Sequence, residues 1–332
     1  MKIYENYPLA ECTTFHLPAS ARRFIEFDTE AELRELLPQV RGERLFVMGG
    51  GSNLVFTADF DGTVIRSRIS FIDTIARDDE SITLRVGSGV NWDSFVRHCV
   101  EQGYYGIENM SYIPGDVGAS AVQNIGSYGV EVKDVITKVN VIEIATGENR
   151  TFDNAECRYA YRDSIFKHEL KGLYVVTSVE YRLALQPHFT LTYGPLKELD
   201  PANLTLADVR QRIIDIRKAK LPDPKHIGSA GSFFMNPIVD EAKFAALKAS
   251  YPDIPSYPLP DGKVKVPAGW LIEHAGLKGR RHGGAQVYEK QCLVLVNACN
   301  ATGNDVLNLC REVIATVADK YGITLKPEAN IL

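Results

Sequence analysis

Two glycine-bearing stretches are the first candidates for chemistry. Gly49-Gly50-Gly51-Ser52-Asn53 directly follows the apolar run Leu45-Phe46-Val47-Met48, so a bend able to bring main chain close to a ligand would sit at the end of a strand. Successive N–H groups in such a bend form a concavity for an anion such as a diphosphate. No Gly-Lys-Ser/Thr ending and no Gly-x-Gly-x-x-Gly spacing occur there, which sets aside the Walker-type phosphate loop and the dinucleotide fingerprint. A tight turn without a ligand is the plain alternative. The second stretch, Ile113-Pro114-Gly115-Asp116-Val117-Gly118-Ala119-Ser120-Ala121-Val122-Gln123-Asn124-Ile125-Gly126-Ser127-Tyr128-Gly129, sets glycines among small residues. Two such stretches point to a large phosphorylated cofactor, against the reading of two unrelated glycine-rich loops.

The elements that must position these stretches are legible around them. Thr29-Glu30-Ala31-Glu32 reads as a capping box, and Leu33, Leu36 and Leu37 give a helical stripe ended by Pro38 and Gly42. Leu45 to Met48 lacks polar alternation, as a strand buried on both faces would. Ile82 to Val86 reads as a strand, and Trp92, Phe95, Val96, Cys99 and Val100 form a core-facing helical stripe behind an Asn91 cap. Val135–Ile144 and Leu173–Leu185 are strand-like, with Ala145-Thr146-Gly147-Glu148 as a hairpin turn. Helical periodicity returns at Val209, Ile213, Ile214 and Ile216 before the extended Lys220-Leu221-Pro222-Asp223-Pro224 connector, which sets a domain boundary near Arg217. Beyond it come a short helix over Glu241–Lys248, a buried strand over Cys292–Val296 and a helix over Asn304–Tyr321 ended by Gly322.

The chain has 332 residues, about two domains' worth at roughly 150 each. With 45% hydrophobic and 24% charged residues it reads as an ordinary globular chain, which disfavours disorder and fibres. Its formal charge of −5 excludes a long-range basic field for nucleic acid or anionic membrane, so anionic ligands must be held by local donors. The six cysteines make no Cys-x-x-Cys pair and no zinc-type spacing with histidine, so they read as reduced, mostly buried thiols, with a single reactive one as the alternative, and no metal site is expected. Met1 to Leu17 has no continuous apolar core, and no apolar run nears the roughly 20 residues of a membrane helix, so a soluble cytoplasmic protein is expected.

Five motifs in order, the two glycine stretches, Tyr161-Arg162-Asp163-Ser164-Ile165-Phe166-Lys167, Ala230-Gly231-Ser232-Phe233-Phe234 and Pro327-Glu328, closely resemble the UDP-N-acetylenolpyruvoylglucosamine reductase family of flavoenzymes in bacterial peptidoglycan synthesis. The resemblance covers nearly the whole chain. It implies an α+β fold: a two-subdomain FAD-binding region of the vanillyl-alcohol-oxidase type and a C-terminal α/β substrate domain. The expected divisions are 1–70, 71–217 and 218–322, with the tail 323–332 returning to the first. FAD would be held non-covalently, since the glycine segment has no histidine for attachment. Gly49, Gly50, Gly51, Ser52, Asn53 and Leu54 would contribute from the first stretch, and Pro114, Gly115, Gly118, Ala119, Asn124 and Gly126 from the second.

The resemblance also implies the reaction. NADPH would reduce the flavin, which would reduce the enolpyruvyl group of UDP-N-acetylglucosamine enolpyruvate. Arg162 matches the family's catalytic arginine and could grip the substrate carboxylate through parallel donors. Ser232 matches the proton donor, and Glu328 the third catalytic residue. Tyr193 matches the tyrosine that covers substrate in the family's longer subclass, while Lys220, Asn236 and Gln291 match substrate contacts. A monomer is expected. Lys278, Arg280 and Arg281 form the densest positive patch, readable as a phosphate contact or a solvated turn, and Ala329-Asn330 departs from the Val-Arg often found after the glutamate. The rivals are an FAD oxidase or dehydrogenase of the same superfamily and a non-catalytic UDP-sugar binder.

Overall fold

In the computed structural model, which describes residues 1–332, Thr29 starts α1 (Glu30–Leu36) by accepting from Glu32 N at 3.1 Å. Leu33 and Leu36 form its buried side, and Pro38 turns the chain into a short 3-10 segment. In the strand Leu45–Met48 only Met48 is buried. The expected burial on both faces fails because the strand lies at the edge of a four-stranded sheet ordered Lys2–Pro8, Ser20–Phe27, Phe60–Ser67, Leu45–Met48. It runs parallel to Phe60–Ser67, with Met48 opposite Arg66, so the chain enters Gly49 beside that arginine.

Five antiparallel strands make the second sheet, in the order Asn149–Asp153, Ile136–Glu143, Tyr174–Ala184, Ser81–Gly87, Ile72–Arg77. Helix α2 (Trp92–Glu101) buries Trp92, Phe95, Val96 and Cys99, and Asn91 Oδ1 caps it from Ser94 N at 3.0 Å. Part of the second glycine stretch is not a loop but a helix, α3 (Val117–Gln123). Its small side chains suit a helix packed at close range, and Asn124, with φ of +44°, ends it. Helix α4 (Leu206–Lys220) carries the helical path past Arg217 and buries Leu206, Val209, Ile213 and Ile216.

By packing, the chain divides into two compact units. The first holds Met1–Tyr7, Ala21–Gly51 and Asp61–Ala219; the second holds Pro8–Ser20, Ser52–Phe60 and Lys220–Leu332. The second unit has a four-stranded antiparallel sheet ordered Gly228–Ser229, Leu295–Asn297, Ala285–Val287, Arg281–His282. The strand expected over Cys292–Val296 is displaced to Leu295–Asn297, because Val294 N donates to Gln291 O at 3.0 Å and closes a turn there. Helices α5 (Glu241–Ser250), α6 (Ala268–His274) and α7 (Gly303–Tyr321) complete this unit. Gly322 ends α7 in the left-handed region. The C-terminal Asn330–Ile331 pairs in parallel with Leu54–Val55. No helix is long and apolar enough to cross a membrane.

Candidate active site

Within the first unit the two glycine stretches meet. A Cβ at Gly50 would lie 2.7 Å from Gly115 Cα, and one at Gly49 would lie 3.0 Å from Ala119 Cβ. Only glycine lets these backbones approach so closely. Gly118 is needed for a different contact: its Cβ would lie 2.8 Å from Ser88 Cβ, and its amide donates to Ser88 O at 3.0 Å. Val117 N likewise donates to Val90 O at 2.9 Å. The Val117 and Gly118 amides at the α3 end of the second stretch are therefore already bonded within the protein. Main chain this close at the end of a parallel strand, with Arg66 alongside and the Asp116 carboxylate as its ion-pair partner, suits the diphosphate of a dinucleotide such as FAD.

Arg162 stands at the tip of a two-residue turn, since Ala160 and Asp163 exchange hydrogen bonds of 3.1 and 3.0 Å. Its φ is +55°, sparsely populated for a side-chain-bearing residue and worth about 1–3 kcal/mol of local strain. The surroundings hold it there: Lys167 Nζ donates to Arg162 O at 2.7 Å, and the guanidinium donates to Asn124 O at 3.3 Å and to Gly126 O. Asn124 is fully buried, with its side chain committed to Ala160 O, Glu131 and Lys133 N. The Tyr193 ring meets Tyr128 edge-on at 6.3 Å, so Arg162 and Tyr193 both border Gly126–Gly129.

Two further residues of the first unit brace this region. Buried Asn109 donates to Tyr128 O at 2.9 Å and Thr190 O at 2.8 Å, tying the glycine stretch to the segment before Tyr193. Arg217 donates to Tyr112 O at 3.1 Å; burial, together with the Arg162 charge, pulls its pKa down, while Tyr128 and Asp93 oppose that. Neither residue carries a signal in type or spacing. Asp116 was legible only as a member of the glycine stretch, and Arg66, in the strand Phe60–Ser67, carried no signal.

In the second unit Ser232 and Glu328 belong to one backbone pairing. Gly231, with φ of +65°, turns the chain into Ser232, and Phe233 N donates to Leu293 O at 2.8 Å. Glu328 N donates to Phe233 O at 2.8 Å, Met235 N to Lys326 O at 2.9 Å, and Phe234 bridges to Pro327. The fully buried Phe233 and Phe234 anchor the pairing in the core. From the other side Asn53 Nδ2 donates to Glu328 O at 3.1 Å and Asn53 O accepts from Asn330 N at 2.9 Å. Asn330 thus does structural work where the family often has arginine. Leu54 pairs with Asn330, and Ser52 O accepts from Thr14 Oγ1 at 3.4 Å.

Asn236 and Gln291 converge on the start of α6. Asn236 Oδ1 accepts from Ala268 N at 2.9 Å, and a Cβ at Gly269 would lie 2.7 Å from Gln291 Oε1. Lys220 is the exposed last residue of α4, and no hydrogen bond ties it to this group. Pro114 lies next to Gly115 in the cradle. Of the positive patch, Lys278 pairs with Glu273 at 2.8 Å and Arg280 with Glu312 at 2.6 Å, as in a solvated turn. All six cysteines are unpaired, four of them buried, and burial pushes the Cys157, Cys292 and Cys310 thiols up to about 11. No three His, Cys, Asp or Glu side chains gather as a metal site.

Comparison with known proteins adds to this geometry. Residues 21–153 match the family described as FAD binding domain, and residues 223–332 match UDP-N-acetylenolpyruvoylglucosamine reductase, C-terminal domain. A UDP-N-acetylenolpyruvoylglucosamine reductase of Porphyromonas gingivalis is 49% identical over 337 residues, covering 100% of both chains. One from Bacteroides fragilis is 48% identical, covering 99% of both. The crystal structure of the Thermus caldophilus UDP-N-acetylenolpyruvylglucosamine reductase superposes with a TM-score of 0.69 at 23% identity, covering 99% of this chain and 98% of that one, which shows the shared fold.

Proposed function

On the premise that the chain belongs to the UDP-N-acetylenolpyruvoylglucosamine reductase family, a family of FAD-dependent oxidoreductases, we propose how its residues divide the reaction. The substrate is UDP-N-acetylglucosamine enolpyruvate, NADPH is the electron source, and the product is UDP-N-acetylmuramate. When bound, FAD supplies the hydride, delivered to the terminal CH2 of the enolpyruvyl group. Arg162 grips the conjugated carboxylate and stabilises the negative charge that hydride addition drives onto it. Ser232 Oγ gives its proton to the adjacent carbon, completing a lactyl ether, and Glu328 supports that transfer. A serine hydroxyl is a feeble acid, so it suits only a strongly basic carbanionic partner. Each turnover consumes one NADPH and one proton.

The backbone pairing of Phe233 with Glu328 carries this reading, because it sets the proposed donor and its acidic partner on one rigid element. Arg162 supports it from the first unit, held in a strained backbone that a surface arginine would not need. We further propose that Gly49–Leu54 and Pro114, Gly115, Gly118, Ala119, Asn124 and Gly126 form the non-covalent FAD site, some by contact and others, Asn124 and Gly118 among them, by shaping it. Tyr193 covers the substrate, with Lys220, Asn236 and Gln291 contacting the UDP-sugar. Residues 1–70 and 71–217 serve FAD and 218–322 the substrate. The enzyme acts as a cytoplasmic monomer in peptidoglycan synthesis. Ser232→Ala is expected to leave flavin reduction by NADPH intact and to slow reoxidation by the enolpyruvyl substrate at least about 10²-fold in stopped-flow traces. Unchanged reoxidation overturns the role of Ser232.

A further inference from the structure

Asp116 occupies the N-cap position of α3, yet its carboxylate caps nothing. One of its oxygens instead lies 3.2 Å from where a Gly50 Cβ would be, and the other lies 3.4 Å from Arg66 Nη2. Asp116 is only 7% exposed. Burial pushes its carboxyl up, and the Arg66 charge pulls it back. Arg66 is mostly buried as well, and its Nε is enclosed without a hydrogen-bond partner. A dry ion pair is weak evidence for stability in itself. The enclosed Nε is beyond an anion's reach, but 14% of the Arg66 side chain stays accessible, and its charge stands beside the Gly50–Gly115 approach.

We propose that Arg66 is the cationic contact for the cofactor's diphosphate at the Gly50–Gly115 cradle, with Asp116 as a neighbouring carboxylate whose charge tempers that attraction. The assignment rests on the FAD reading above. Arginine suits the task where lysine does not, because its planar fork can serve a carboxylate and a phosphate at once. It also answers a need of the composition: with a formal charge of −5, the chain must hold an anion by local donors.

The two partners have opposite consequences. Removing Arg66 removes the attraction for phosphate, whereas removing the Asp116 charge removes a nearby repulsion. Holoprotein carrying Arg66→Met, Arg66→Lys or Asp116→Asn would be diluted serially, and the FAD Kd read from the fluorescence of released flavin, with circular dichroism confirming the fold. Arg66→Met is expected to raise the Kd at least about 10-fold, Arg66→Lys by less, and Asp116→Asn to leave it unchanged or lower it. A pair that merely braces the fold would lose FAD with either partner. Equal losses from Arg66→Met and Asp116→Asn therefore overturn the proposal, as does an unchanged Kd in Arg66→Met. If Arg66→Met does not fold, a larger loss in Asp116→Asn than in Arg66→Lys overturns it. Wild-type protein that retains no FAD would sink the cofactor reading itself, a distinct outcome.

Discussion

Single residues set how closely the two glycine stretches approach. Gly50 is the sharpest case, because an added Cβ would strike Gly115 Cα at 2.7 Å and Gly115 C at 3.1 Å, both backbone atoms that cannot rotate away. Gly50→Ala is expected to destabilise the protein by about 1–3 kcal/mol in urea unfolding and to lower the flavin-to-protein ratio on purification. Unchanged stability and flavin content would show that the cradle has slack that these distances deny. At this scale the sequence spoke clearly where residue type is itself the signal: runs of glycine, a Tyr-Arg-Asp-Ser motif, a Gly-Ser-Phe-Phe turn. It was silent for Asn109, whose two 2.8–2.9 Å bonds to Thr190 O and Tyr128 O join segments far apart in the chain. An asparagine looks alike in a loop and in a buried bridge, and only the fold tells which.

Among the elements, α2 and α4 are clamped by one ion pair inside the first unit. Asp93, in the first turn of α2, accepts from Arg210 through both oxygens at 2.7 and 2.8 Å, and also from Tyr112 N. Burial opposes ionisation of Asp93, but the Arg210 hydrogen bond and the Tyr112 amide outweigh it and hold the carboxyl below its ordinary value. With the folded value depressed, the stabilisation is complete above the unfolded value near 3.9 and is lost as pH falls through the folded one. Asp93→Asn is expected to cost about 1–3 kcal/mol at neutral pH, with the gap to wild type closing in acid. A gap of the same size at pH 2 and pH 7 would remove the charge from the explanation. Helices with caps and stripes, α1, α2 and α7, were legible from sequence because their signals are local. Helix α3 was hidden by its glycine and small residues, and the burial of Leu45–Met48 was overstated because an edge position is a property of the sheet, not of the strand.

For the molecule as a whole, the resemblance implied that the tail 323–332 returns to the first division, but not that Pro8–Ser20 and Ser52–Phe60 would join the unit formed by Lys220–Leu332. Those memberships depend on pairings such as Leu54 with Asn330, which link residues far apart in sequence and leave no periodic trace. The ordered motifs were legible across the whole chain, and with them the family and its FAD. In the molecule as a whole, electrons enter through FAD and leave to an activated alkene. Anaerobic stopped-flow absorbance of the yellow holoprotein, mixed first with NADPH and then with UDP-N-acetylglucosamine enolpyruvate, tests that most directly. The expected record is bleaching of the flavin band followed by full recovery with one equivalent of substrate; a flavin that NADPH bleaches and the enolpyruvyl sugar leaves colourless would contradict it.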